Sequence, residues 1–496
     1  MLTRGSGGST GDVPQSDEVT ESVLAARQLG DTSAPSEAAS LAAPGQQVRG
    51  RHRRESPPTR LVVNRPIGRT WWWIAAVAIT VGVVALSIVL GAHRRADPHF
   101  DVSDEAAHYA YVVALRSGHL PAFGDRLTVE DRKMVDCLDA SDIPPARCGT
   151  TPPSSPHYDA EGYDYEAQQP PLGYLPYVVT ADPSATPDNA IAAARTGGMV
   201  WVAISGCLLL ALAGLEELSL LGLAALLATC LLNPIFTLAA ATVNNDAAGV
   251  AAGAVALIAW SWSRRRPRWS LGLGLLVGAL LGLTKGILIV VPFALLIAAV
   301  VEEGRGLVSW AGLWHGCKRH SCTISMFLAT AAAFGGFVLF QDSRATVAPS
   351  VVLHALLDSN QVATVQPSTV STGLSSSLSF FEPYYPYNAL NVLWDVCVFG
   401  VLVGVWAFRV PEAVSGRVRG VALGVLAGMV ALAVGWPVLV YIQGHYNFFS
   451  SIRYNIALLP LIAYVIVKGC RNFGIAAVGV VLPLACAGLQ LGVGKY

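Results

Sequence analysis

Asp104 and Glu105 are neighbours, and His108 follows four and three positions on, in the stretch SDEAAHYAYVVALRSGHLP. On a helix, residues three and four apart share a face. A carboxylate within hydrogen-bond reach of a hydroxyl can take its proton as a general base. A second carboxylate can stabilise a positive, oxocarbenium-like centre electrostatically. Adjacent helical acids point about 100° apart, so one of Asp104 and Glu105 is expected to face a site. A plainer explanation is a helix start, with Ser103 or Asp104 as cap and Glu105 in the first turn. That accounts for one or two acids, but not for the histidine and the tyrosines.

Four further stretches carry polar chemistry beside apolar runs. In YDYEAQQPPLGYLPYVV, Pro170 and Pro171 disfavour helix before them. Tyr165, Tyr174 and Tyr177 offer rings and hydroxyls, as an interfacial aromatic belt also would. Gln168 and Gln169 suit sugar hydroxyls or an ordinary loop. Asn244, Asn245 and Asp246 form a tight turn that suits a polar ligand or a cation, though a helix cap explains one of them. Lys285, in GLTKG, is costly near the membrane unless it snorkels or finds a partner, and it suits an anion such as phosphate. In HYNFFSSIRYNIALLP, His445 and Arg453 lie eight apart, and Arg453 fits a phosphate or a plain interfacial anchor. Glu382 with Tyr384, Tyr385 and Tyr387 could stack on a sugar, or belong to the aromatic belt. A divalent cation at Asp104, Glu105 and Asp246 stays open, and no other cofactor is implied.

The elements that must position these groups are membrane helices. Only 13% of the 496 residues are charged and 53% are hydrophobic, where soluble domains carry roughly 25% charged residues. The formal net charge is +0, so no broad basic surface points to nucleic acid. Residues 1–70 are rich in Ser, Gly, Ala, Pro and Gln and read as a disordered cytoplasmic tail ending in an arginine cluster. Eleven apolar segments follow, near 71–92, 197–215, 218–240, 247–262, 271–283, 286–300, 321–340, 389–408, 420–441, 454–467 and 472–491. Backbone polar groups must be satisfied in lipid, so these are expected to be helices. The basic loops at 263–270, 302–320, 409–419 and 468–471 fall on the side of the tail. That parity sends loops 93–195 and 341–388, the 244–246 turn, Lys285 and Arg453 to the extracytoplasmic face. Residues 104–117 read as an amphipathic helix in the first outer loop. Cys137 and Cys148 share that loop, where a disulfide is permitted.

The order DE…H, QPPLGYLPY, NNDA, LTKG and RYNIALLP resembles the membrane-embedded GT-C superfamily of glycosyltransferases, within it the bacterial and actinobacterial DUF2142-type proteins, over about 71–480. The resemblance implies an all-α polytopic membrane protein of about 11 transmembrane helices with a GT-C-like core, residues 71–496. It implies sugar transfer from a polyprenyl-phosphate donor to a cell-envelope glycan or lipoglycan at the outer plasma-membrane face, with inversion. By position it favours Asp104 as base and Glu105 as its neighbour or a binding residue. His108 then matches a frequent histidine, Gln169 to Leu172 a site-forming turn, and Lys285 and Arg453 the donor-phosphate positions. No large soluble outer domain follows the helices, unlike in several branches of the superfamily. Two alternatives stand beside it: a transporter or flippase for a lipid-linked glycan, and a non-catalytic scaffold for envelope assembly.

Overall fold

The computed structural model describes residues 68–97, 104–128, 163–182, 185, 187–304, 310–352, 388–407, 416–444, 452–469, 481 and 483–485. The tail up to residue 67, Cys137, Cys148, most of loop 341–388 and nearly all of segment 472–491 lie outside them. The described residues are helical, with a single isolated β-bridge between Arg126 and Tyr163.

The chain begins with α1 (Arg69–Leu90) and the short α2 (Ala92–Ala96), and α3 (Glu105–Arg116) follows. Two 3-10 turns, Tyr165–Gln168 and Pro171–Tyr174, lead into α4 (Leu175–Thr180). Then come α5 (Pro187–Leu215), α6 (Leu220–Leu231) and α7 (Pro234–Ala241). A 3-10 turn at Asn245–Ala248 opens α8 (Gly249–Arg265), followed by α9 (Ser270–Thr284) and α10 (Val290–Glu303). The remaining helices are α11 (Trp310–Arg319), α12 (Ser321–Arg344), α13 (Asn388–Ala407), α14 (Gly416–Val430), α15 (Trp436–Gly444) and α16 (Leu459–Gly469). A π-turn at Ala431–Gly435 joins α14 to α15.

Among the described residues, seven helical segments are long and apolar enough to cross a membrane, or eight if α6 and α7, bent by 57°, count as one broken span. The chain is therefore a multi-pass helical membrane protein. The eleven expected segments differ from this at the C-terminal side. The expected span 454–467 is a 3-10 turn over Ile452–Leu458 and then α16. At 1.5 Å per residue α16 reaches only about 16 Å, half a bilayer core. The 271–300 region does break in two, at Lys285.

Helix α8 is the centre of the bundle. Its apolar window is 83% buried inside the protein, against 17% for α1, whose Trp71, Ile74, Val77 and Val81 face outward. Small residues let the backbones approach, as expected where lipid removes the usual hydrophobic drive. Gly274, Gly278 and Gly282 line the face of α9 that meets α12, and an added Cβ at each would strike backbone carbonyls of Cys322, Met326 and Thr330. Gly420 and Gly424 do the same for α14 against Ala298 and Ala294 of α10. These two seams fix α9, α10, α12 and α14, and so fix where Lys285 emerges between α9 and α10.

Candidate functional site

The two neighbouring acids part company at the start of α3. Asp104 is its N-cap residue, yet its side chain makes no capping hydrogen bond. The carboxylate turns instead to Arg453, which donates to Oδ2 at 2.7 Å and to Oδ1 at 3.1 Å. Such a fork-to-fork pair is the strongest ordinary ionic contact. Its side chain keeps 23% exposure, whereas that of Glu105 keeps none.

Glu105 lies inside the protein. Arg195 of α5 donates to both of its oxygens at 2.8 and 2.7 Å, and the backbone N–H of Val243 donates to Oε1 at 2.7 Å. Arg195 also donates to the carbonyls of Arg94 and Asp97. This pair ties α2, α3, α5 and the end of α7 together, and holds Glu105 fully buried, away from the crevice. The expectation of Glu105 as a second site acid meets this geometry: the 100° between neighbours sends Asp104 to the site and Glu105 to the core.

One turn on, His108 sits between two carboxylates. Its Nε2 is 3.6 Å from Asp104 Oδ2, and its Nδ1 is 3.2 Å from Glu166 Oε2 and 2.6 Å from the Tyr174 hydroxyl. The Tyr174 hydroxyl donates to Glu166 at 3.0 Å. Burial opposes a charge on His108, but Glu166 and Asp104 outweigh it and raise its pKa to about 9. Burial would likewise raise the Asp104 carboxyl, but Arg453 and His108 prevail and hold it well below the usual range. Burial, with Glu166 next in strength, pushes the Tyr174 hydroxyl well up, so it stays a neutral donor.

The third part is built by the turn before α8. Asn244 is its cap, accepting from the Asp246 N–H at 2.7 Å, while its own carbonyl accepts from the Tyr177 hydroxyl at 2.8 Å. That leaves Asn245 and Asp246 to meet Lys285, whose Nζ donates to Asn245 Oδ1 at 2.7 Å and to Asp246 Oδ1. Arg453 Nε stands 3.8 Å from Asp246 Oδ2, which links this pair to Asp104. Lys285 also lies over the Tyr454 ring, 5.4 Å from its centre, and Trp436, just after the π-turn, packs edge-on against the same ring. The QPPL turn closes the cluster. Gln169 accepts from Tyr111 through its carbonyl at 2.7 Å and from Asn245 through its side chain at 3.4 Å. Gly173 lets this turn approach, because a Cβ there would come within 2.9 Å of Asn245 and 3.0 Å of the Thr284 carbonyl.

A narrow crevice of ≈ 10 Å³ lies beside these groups, lined by Asp246, Lys285, Arg453 and Tyr454 together with Ile287, Leu288 and Ile456. Small-molecule sites usually hold about 300–1,000 Å³, so this one must widen before it admits a sugar carrier. Three carboxylates (Asp104, Glu166, Asp246) balance three cations (His108, Lys285, Arg453).

Asp104, His108, Gln169, Tyr174, Asn245, Asp246, Lys285 and Arg453 are thus brought together, from segments up to 349 positions apart. Asn244 shapes the turn. Gln168 is half-buried at the end of its 3-10 turn, with no side-chain hydrogen bond to the cluster. The Tyr165 side chain, Glu382, Tyr384 and His445 lie outside the described residues. For a cation, Glu105 is turned away, and no group of three His, Cys, Asp or Glu among the described residues is arranged to hold a metal. Glu166 was missed by sequence reasoning. Its signal was its place in YEAQQPP, inside the stretch already singled out and four residues before the proline pair.

No family model, curated protein or solved structure matches the chain.

Proposed function

We propose that the protein is a GT-C-type glycosyltransferase, with its site at the outer membrane face, that moves a sugar from a polyprenyl-phosphate to a cell-envelope glycan or lipoglycan. The observation that carries this reading is the Arg453–Asp104 pair. It sets a partly exposed carboxylate against Arg453, which also lines a crevice with Lys285 and with the apolar Ile287, Leu288 and Ile456. A phosphate on an isoprenoid carrier likewise joins a charged group to an apolar chain.

In this mechanism Lys285 and Arg453 hold the donor phosphate. A phosphate competing for Arg453 loosens its hold on Asp104, and the carboxylate becomes more basic as the donor arrives. Asp104 then takes the proton of the acceptor hydroxyl. The hydroxyl oxygen bonds to the anomeric carbon while the bond from that carbon to the phosphate oxygen breaks. The electron pair leaves with the phosphate, on its carrier. One displacement inverts the anomeric configuration. His108, charged and fixed by Glu166 and Tyr174, keeps Asp104 oriented.

The test is transfer in vitro by the purified full chain from synthetic polyprenyl-phosphate pentoses and hexoses to envelope glycan fragments. Product with inverted anomeric configuration supports transfer; no product from any donor counts against it.

Transport of a lipid-linked glycan is a second reading. It draws on the 57° break between α6 and α7, where Asn233 is buried and its Nδ2 finds no hydrogen-bond partner. Broken helices with polar groups carry the sites of many transporters. Movement of labelled lipid-linked sugar across proteoliposomes without acceptor distinguishes it.

A further inference from the structure

The helix ends opposite the Asp104 cluster hold a second cavity. Helix α1 begins at Arg69 and ends beside α2, where Arg94 meets Arg195. Helix α5 passes Arg195 near its start and ends at Leu215, and α8 runs from the Asn245 turn to Arg265. The far ends of these three helices therefore lie together, away from the Asp104 cluster.

They border an open cavity of ≈ 570 Å³ lined by Arg69, Trp72, Trp73, Gly214, Glu217, Leu218 and Arg265. Glu217 sits in the turn between α5 and α6 with a φ of 53°, the one non-glycine residue with positive φ among those described. The Leu218 N–H donates to the Ala213 carbonyl at 3.0 Å, so Glu217 closes the end of α5 as a left-handed cap. The Trp72 indole is anchored by donating to the Leu218 carbonyl at 3.2 Å, and Trp73 packs edge-on against it. Arg265 donates to the Leu215 carbonyl, and among the described residues no carboxylate pairs with Arg265 or Arg69. Among the described lining residues, two guanidinium groups and one carboxylate carry a net positive charge.

Exposed indoles stand close in sequence to this lining: Trp71 beside Trp72, and Trp262 and Trp269 within four residues of Arg265. Exposed tryptophans gather at the boundary between headgroups and hydrocarbon. A positively charged cavity at that boundary suits a phosphodiester.

We propose that this cavity is a binding site for a membrane phospholipid, whose phosphodiester bridges Arg69 and Arg265 while its glycerol and upper acyl chain lie on Trp72 and Trp73. The guanidinium fork matches phosphate oxygens. Glu217 disfavours a second phosphate on the same headgroup, so a singly charged lipid such as phosphatidylglycerol fits best. This site is independent of the chemistry at Asp104.

The experiment is native mass spectrometry of the full chain in detergent, titrated with phosphatidylglycerol, with inorganic phosphate as a competing arm. Each arginine near a lipid phosphate is worth about fivefold in binding, so Arg69→Gln with Arg265→Gln loses about 25-fold of the retained lipid. Arg268→Gln, which lies outside the cavity lining, loses clearly less than either single arginine change. A second variant keeps both arginines and blocks the space. A Cβ on Gly214 already falls 2.8 Å from the Trp73 ring, so Gly214→Leu drives that ring into the cavity and removes the bound lipid. Equal loss in Arg268→Gln, undiminished retention in Gly214→Leu, or displacement by free phosphate at matched concentration would each overturn the proposal.

Discussion

Arg453 grips Asp104 with two hydrogen bonds, at 2.7 and 3.1 Å, across 349 positions of sequence. One end of this pair starts the first helix after α2, and the other stands in the 3-10 turn before α16. Burial acts to raise the Asp104 carboxyl, and Arg453 is the largest influence that lowers it. Replacing Arg453 with Gln removes that influence and lets the carboxyl titrate higher. The acid limb of the pH–rate profile should then move up, and the donor KM should rise. A profile unchanged on its acid side contradicts the pairing.

Glu105 and Arg195 are both fully buried and satisfy each other. Breaking such a pair leaves an uncompensated charge in the interior and costs about 3–5 kcal/mol. Glu105→Gln and Arg195→Gln should therefore lower the melting temperature of the detergent-solubilised protein sharply, and by similar amounts. Normal melting of Glu105→Gln with selective loss of turnover would reassign Glu105 to the chemistry.

His108 gives the site an alkaline limit. Its folded pKa is raised to about 9, so the charged ring favours the folded state. That contribution is complete below the ordinary value near 6.5 and is lost as pH rises through about 9. Asp104 behaves in the opposite sense. Its contribution is present above the ordinary carboxyl range and is lost as pH falls through its lowered value. Activity should span a plateau between the two limits. In His108→Gln the decline near pH 9 should vanish, and a decline that persists there points to another group.

Lys285 neutralises Asp246, whose side chain keeps only 4% exposure. Lys285→Met leaves that carboxylate facing Arg453 Nε at 3.8 Å. The loss should again be about 3–5 kcal/mol of stability, accompanied by weaker donor binding. Lys285→Arg keeps the charge and should restore most of the stability. Equal melting of Lys285→Met and the wild type, by differential scanning fluorimetry, counts against the buried pair.

Much of this site was legible in the sequence because its groups are out of place there. An acid pair beside an apolar run, a lysine between two apolar segments and an arginine before another are each costly unless partnered. What the residue types withheld was the pairing. Asp104 and Glu105 read alike, and only the rotation along α3 and the position of Arg195 separate them. Arg195 and Glu166 stand in stretches of ordinary polarity, so their roles come from tertiary packing alone. The amphipathic helix expected at 104–117 forms as α3, and its Tyr109, Tyr111 and Val112 are buried, with Tyr111 donating to the Gln169 carbonyl before the proline pair. The segment 454–467 had the composition of a span, but its first residues are used to place Arg453 and Tyr454 at the site. The glycine seams of α9 and α14 carry a spacing of four that hydropathy does not register.

The most direct measurement is single-turnover sugar transfer from a polyprenyl-phosphate donor by Asp104→Asn, on protein whose melting temperature matches the wild type. A general base contributes typically about 10²–10⁴-fold, and turnover should fall by that factor while donor binding persists. Full turnover in folded Asp104→Asn contradicts Asp104 as the base.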